Sequence, residues 1–229
     1  MELCESAVEV IKKRIEERVP MVALSKLLDN GSYRVAGNSL NAGELHDIDV
    51  YPSYEGQFNN IVKALIANEE KMSISIICDT KNAITAMVCG VVVQFCKYYH
   101  ATLADLVDSF DFTHIQIGAE IKGQEVTSVY CTDAYVGTLV GKGTSYSGSD
   151  YPLSSLFRLI KYAKRGNFTG KSWKHDILVI FKDIVDRGFS SYDDFKDQLD
   201  AVDLAYLEKR GEATELFKSI KERWIGVKD

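Results

Sequence analysis

Residues 34–51 constrain this chain more than any other stretch, because they read as strand, turn and strand with two carboxylates on one side. A short apolar strand at 33–36 is broken by Gly37-Asn38-Ser39, and a second strand begins with Asp47-Ile48-Asp49. Successive strand side chains alternate between faces, so Asp47 and Asp49 project together while Ile48 turns toward the core. Two carboxylates this close repel unless a cation stands between them. Mg²⁺ suits the pair, since it takes one or two carboxylates from a protein when substrate phosphates complete its shell. The Gly-x-Ser turn just upstream lets the backbone approach a phosphate closely and adds one hydroxyl donor. The pattern predicts a metal-dependent phosphoryl or nucleotidyl transfer site; the alternative is an exposed turn followed by two solvated acids.

The rest of the chain builds a mixed sheet around that unit. Apolar spacing predicts helices over 2–17 and 21–28, the second closed by Asp29-Asn30-Gly31, and another over 58–68 once Pro52 has stopped the strand. Three β-rich runs follow at 74–78, 83–88 and 91–97, the last two joined by a Cys89-Gly90 hairpin turn. A short helix at 103–107 leads to a strand over 110–117 that Gly118 breaks. Residues 126–149 read as a glycine-broken, mobile connection with a short helix near 130–140. Its Gly141-Lys142-Gly143-Thr144 lacks the full spacing of a phosphate-binding P-loop. Helices are predicted over 173–187, 192–199 and 213–224. The fold class is therefore α+β, with a core over 1–150 and a helical subdomain over 151–229.

The turn and acids, Gly37-Asn38-Ser39 and Asp47-Ile48-Asp49, resemble the signature of the polymerase-β-like nucleotidyltransferases. Val91-Val-Val-Gln94-Phe-Cys-Lys, then Ala101-Thr-Leu-Ala-Asp-Leu, then Phe110-Asp111-Phe112-Thr113, is similar in order and spacing to the core of the tRNA CCA-adding and poly(A)-adding enzymes. The Phe-Asp-Phe-Thr form looks closer still to small phage and large-DNA-virus proteins of the same superfamily. Two departures stand out. The family tends to carry an acid where this chain has Gln94, and its paired arginines are replaced by Ser109-Phe110. The third carboxylate of the site is thus either Asp111 or absent. Asp111 lies between two phenylalanines, where a buried acid needs a partner; capping a helix or pairing with a lysine is its alternative role.

A third stretch runs from Asp150 to Phe168. Pro152 opens a helix and Gly166 closes it behind a basic end, as capping and dipole rules expect. Leu153, Leu156, Phe157 and Ile160 form the expected apolar face, while Arg158, Lys161 and Arg165 make one row of cations suited to a triphosphate. The string is similar to the helix that follows the core in tRNA-type nucleotidyltransferases, with Lys161 at its second arginine and Tyr162 at its aromatic. A solvated basic face is the alternative.

Of 229 residues, 46% are apolar and 26% charged, which makes an ordinary globular composition. No apolar run is long enough to span a membrane, and the acidic start is unlike a secretory signal, so a cytoplasmic setting is expected. Five cysteines without Cys-x-x-Cys spacing are expected to be buried reduced thiols. The net charge of −6 argues against indiscriminate nucleic-acid binding, and no DNA-specific motif appears. His46, His100, His114 and His175 show no metal-ligand spacing, and His46 reads as a surface residue.

Together these readings predict transfer of an NMP from an NTP to an acceptor hydroxyl, with Mg²⁺ or Mn²⁺ as cofactor and pyrophosphate as product. The resemblance implies that Gly37, Asn38 and Ser39 hold the β- and γ-phosphates and that Asp47, Asp49 and Asp111 bind metal and carry catalysis. It assigns Arg158, Lys161, Tyr162 and Arg165 to the nucleotide. RNA or tRNA is one acceptor, and a protein or small molecule is another. A catalytically silent nucleotide-binding module is the rival that Gln94 keeps open.

Overall fold

The computed structural model describes residues 5–41, 45–68, 72, 74–166 and 172–200. The expected helix over 213–224 lies outside the described residues. The chain divides into two compact units, Met1–Ser147 and Gly148–Asp229.

The first unit is a seven-stranded sheet in the order β3-β4-β5-β2-β1-β6-β7. Its strands are β1 (Ser32–Ala36), β2 (Ile48–Pro52), β3 (Ser75–Asp79), β4 (Ala83–Val88), β5 (Val91–Cys96), β6 (Ile117–Lys122) and β7 (Glu125–Cys131). Only β2 and β5 pair in parallel; every other neighbour is antiparallel. Helices α1 (Glu5–Arg18), α2 (Met21–Leu27) and α3 (Gln57–Asn68) belong to this unit. Ile11, Ile15, Leu24, Ile61 and Leu65 join Tyr33, Val35, Ile48, Val50, Val93 and Phe95 in one buried core. Strand periodicity accounts for this: β2 alternates Ile48, Val50 and Pro52 into the core with Asp49 and Tyr51 on the other face.

That other face is partly covered by α4 (Leu103–Asp108), which opens on a capping box between Thr102 and Asp105. Gly118 sits inside β6, not at its end, and its missing side chain has a steric reason. A Cβ there would lie 2.8 Å from Val107 Cγ2 and 2.9 Å from Leu103 Cδ1. Arg34, 4% exposed, ties the lead-in to α4 onto the sheet. Its Nε donates to Glu120 Oε1 at 3.0 Å, and its Nη1 and Nη2 donate to the carbonyls of His100 and Ala101.

Several sequence expectations change here. Residues 110–117 are not a strand: Phe112 makes an isolated bridge to Tyr146, a helical turn spans Thr113–Ile115, and β6 starts at Ile117. Phe110 and Phe112 gave the segment a β-rich look, but both pack as single anchors, Phe110 beside Tyr51 and Phe112 beside Tyr146. Much of the presumed connection is β7, followed by α5 (Asp133–Gly137) capped by Thr132. Pro52 still pairs, opposite Tyr33. The run at 74–78 becomes β3, an edge strand exposed along its whole length. Cys96 and Cys131 are buried thiols, whereas Cys78 and Cys89 are exposed. The Cys89-Gly90 hairpin turn forms as expected, with both residues at positive φ.

The second unit contains α6 (Pro152–Lys164), α7 (Ser172–Arg187) and α8 (Tyr192–Asp200). Pro152 occupies the first turn of α6. The buried side of α6 differs from the expected one: Ser154, Ser155, Leu159 and Tyr162 are buried and Ile160 is exposed. Two small serines let α8 approach, where Ser154 Oγ donates to the Gln198 carbonyl. Arg187 Nη2 and Nη1 clasp Asp194 Oδ1 and Oδ2 at 2.9 and 3.2 Å, which joins the end of α7 to α8.

Candidate nucleotide and metal site

Register brings the polar residues of the first unit to one face. Ala36 pairs with Asp49 and with Gly118, Asp49 pairs with Gln94, and Arg34 pairs with Tyr51 and Glu120. Directly paired residues share a face, so Asp49, Tyr51, Gln94 and Cys96 lie together. Burial pushes the Cys96 thiol well above its ordinary pKa; the Asp49 carboxylate adds to the shift, the Tyr51 hydrogen bond opposes it, and Asp47 contributes a smaller push upward. Both acids therefore stand within electrostatic reach of one buried thiol. Asp47 precedes the strand and Asp49 is its second residue; both are half-buried.

The turn is adjacent. Gly37 leaves β1 after its N–H donates to the Ile117 carbonyl at 2.9 Å. It takes φ 86° and ψ −151°, a conformation open to glycine almost alone. A Cβ on Gly37 would lie 3.6 Å from Asp49 Oδ2. The following residues, Asn38–Leu40, form one helical turn. Ser39 is 6% exposed, and its hydroxyl has no hydrogen-bond partner among the described residues. A buried hydroxyl in that state carries a desolvation penalty that a ligand oxygen would relieve.

Asp111 is 2% exposed, and its backbone carbonyl accepts from Ser147 N at 2.9 Å. Among the described residues no three His, Cys, Asp or Glu side chains form a group able to hold one ion. The pair Asp47 and Asp49 is of the kind Mg²⁺ takes from a protein when phosphate oxygens complete its shell. His46 is exposed; His114 is buried, and burial lowers its pKa to about 4. In the second unit, Arg158 and Lys161 are half-buried, Arg165 is exposed and Tyr162 lies on the buried side of α6.

Two residues escaped the sequence reading. Arg14, inside the helix expected over 2–17, and Arg18, just past it, both donate to carbonyls of the 39–41 segment. Their i, i+4 spacing placed them on one face, but nothing local indicated what that face meets.

The family model described as a Gabija anti-defense 2 family protein matches residues 9–136, more than half of the chain. This chain belongs to the Gabija anti-defense 2 family. No curated protein matches its sequence. Among solved structures it is similar to the Thermotoga maritima CCA-adding enzyme complexed with tRNA, at 13% identity and a TM-score of 0.52, over 82% of this chain and 50% of that one. A CCA-adding enzyme with CTP matches at 14% identity and 0.51, over 82% and 48%. A CCA-adding enzyme in an apo form matches at 14% and 0.50, over 82% and 52%. The chain spans about half the length of these proteins. At such identities the likeness shows the fold, a mixed sheet with flanking helices. Among the described residues no helix is long and apolar enough to cross a membrane.

Proposed function

We propose that this chain is a nucleotidyltransferase that moves an NMP from an NTP to an acceptor hydroxyl and releases pyrophosphate. The observation that carries the reading is the pairing of Asp49 with Ala36, which sets a two-acid strand beside the Gly37 turn, where a Cβ on Gly37 would lie 3.6 Å from Asp49 Oδ2. In this reading the N–H groups of Asn38 and Ser39 and the Ser39 hydroxyl donate to the β- and γ-phosphates. Asp47 and Asp49 hold Mg²⁺ or Mn²⁺. When bound, the ion neutralises phosphate charge and lowers the pKa of the acceptor hydroxyl. Asp47 and Asp49, both half-buried, would orient the triphosphate by holding that ion beside the turn. Arg158, Lys161 and Arg165, all on the second unit, are read as partners for an anionic ligand there.

RNA or tRNA is the acceptor we favour, supported by the tRNA named for the Thermotoga maritima enzyme. The anti-defense name of the family supports action against a defence system, in keeping with the phage and viral branch of the superfamily. A second reading, a catalytically silent nucleotide-binding module, is favoured by the neutral Gln94 opposite Asp49. Incubation with α-³²P-labelled NTPs, Mg²⁺ and total cellular RNA and protein decides among them. Label in RNA supports the first reading, and label in protein moves the acceptor. NTP binding without label supports the silent module, and absence of both label and binding overturns the site.

A further inference from the structure

We propose that Arg14 and Arg18 of α1 are positioning residues that hold the Gly37–Ser39 turn in its phosphate-receiving form; the inference rests on the nucleotidyltransferase reading. The two side chains are four residues apart on α1 and so project from one side of it. Arg14 Nη1 donates to the Leu40 carbonyl at 2.7 Å. Arg18 Nη1 donates to the carbonyls of Ser39 at 3.2 Å and Asn41 at 2.7 Å. Three successive carbonyls at the end of the one-turn helix Asn38–Leu40 are thus received by two guanidinium groups.

The end of a helical segment leaves such carbonyls without intrahelical donors, and a cation there also meets the negative end of the peptide dipoles. All carbonyls of a helical turn point to one end and all N–H groups to the other. Fixing the carbonyl end against α1 therefore directs the N–H groups of Asn38 and Ser39 toward the opposite end, where Gly37 adjoins Asp49. Asn41 is locked from its other side: its Nδ2 donates to the His114 carbonyl at 2.7 Å and its Oδ1 accepts from Tyr135 Oη at 3.0 Å. With these partners the turn has little freedom to rotate, and its donors stay aligned before a ligand arrives. Preorganisation of this kind strengthens binding by removing the ordering cost.

The test uses the full chain as Arg14→Gln, Arg18→Gln and the charge-retaining Arg14→Lys and Arg18→Lys. Two quantities are read: amide hydrogen exchange of residues 37–41 without nucleotide, and the dissociation constant for ATP with Mg²⁺ by calorimetry. The glutamine variants are expected to exchange faster at 37–41 while β4 and β5 keep their protection, and to bind ATP about tenfold more weakly. Arg14→Lys should recover most of that affinity, while Arg18→Lys, whose shorter reach has to replace one Nη1 that met two carbonyls, should fall between wild type and Arg18→Gln in both exchange and affinity. The lysine variants carry the test if a glutamine variant fails to fold. Unchanged exchange at 37–41, or unchanged ATP affinity alongside faster exchange, overturns the positioning role. A wild-type protein that binds none of the four NTPs overturns the nucleotidyltransferase reading itself, and this use of the turn with it.

Discussion

Asp49 and Gln94 stand opposite each other in the parallel pairing of β2 with β5, so the strand that carries the acids meets a neutral amide across the ladder. Replacing Gln94 by Glu places a third carboxylate on the polar face. Like charges directly opposite on adjacent strands are destabilising by up to roughly 1 kcal/mol. The metal-free variant should therefore melt a few degrees lower than wild type, and Mn²⁺ should restore it while binding more tightly in paramagnetic resonance titrations. If neither the melt nor Mn²⁺ affinity changes, residue 94 does not face the acids.

Asp47→Asn and Asp49→Asn should each abolish transfer while the melting midpoint stays near that of wild type, because removing one of two crowded carboxylates relieves repulsion. Asp111→Asn should behave in the opposite way. It alters a 2% exposed group, so it should lose about 1–3 kcal/mol of stability and leave the ATP affinity of the folded fraction intact. A fall in turnover of a hundredfold or more with an unchanged melt would instead make Asp111 the third carboxylate.

Gly37→Ala and Gly118→Ala should both destabilise, for different reasons. At Gly37 the added Cβ meets Asp49 Oδ2 only at ordinary contact distance, and the loss of about 1–3 kcal/mol comes from its φ of 86°. At Gly118 the backbone is unstrained but α4 is in the way, with Val107 Cγ2 at 2.8 Å. Urea unfolding measures both losses, and only Gly37→Ala should also weaken ATP binding.

His114 makes stability depend on pH. Its pKa is lowered from 6.5 to about 4 by burial, so between those values the unfolded chain binds more protons than the folded one. Stability is then fully present above pH 6.5 and falls as pH drops toward 4, by an amount on the order of 3 kcal/mol at most. Because native carboxylates contribute below pH 5, the measurement is the difference between wild type and His114→Phe in urea unfolding across pH 4–7. A difference independent of pH would show that His114 does not titrate in this way.

Short-range chemistry was legible in the residues alone. Asp47 and Asp49 two apart, Gly37 at a forced turn, Cys89-Gly90 in a hairpin and Pro152 at a helix start each act within a few residues of chain, where alternation and allowed φ decide the outcome. Failures began where two segments compete or meet. The aromatics of 110–117 suggested a strand, yet between α4 and β6 Phe110 and Phe112 meet separate ring partners, Tyr51 and Tyr146. The apolar run of β3 reads like a core strand, and only the sheet order puts it at an exposed edge. Tertiary structure alone set Gln94 opposite Asp49 and carried Arg14 across 26 residues of sequence to Leu40. Pairings of that range depend on how strands are ordered and how α1 packs, and no local periodicity encodes them.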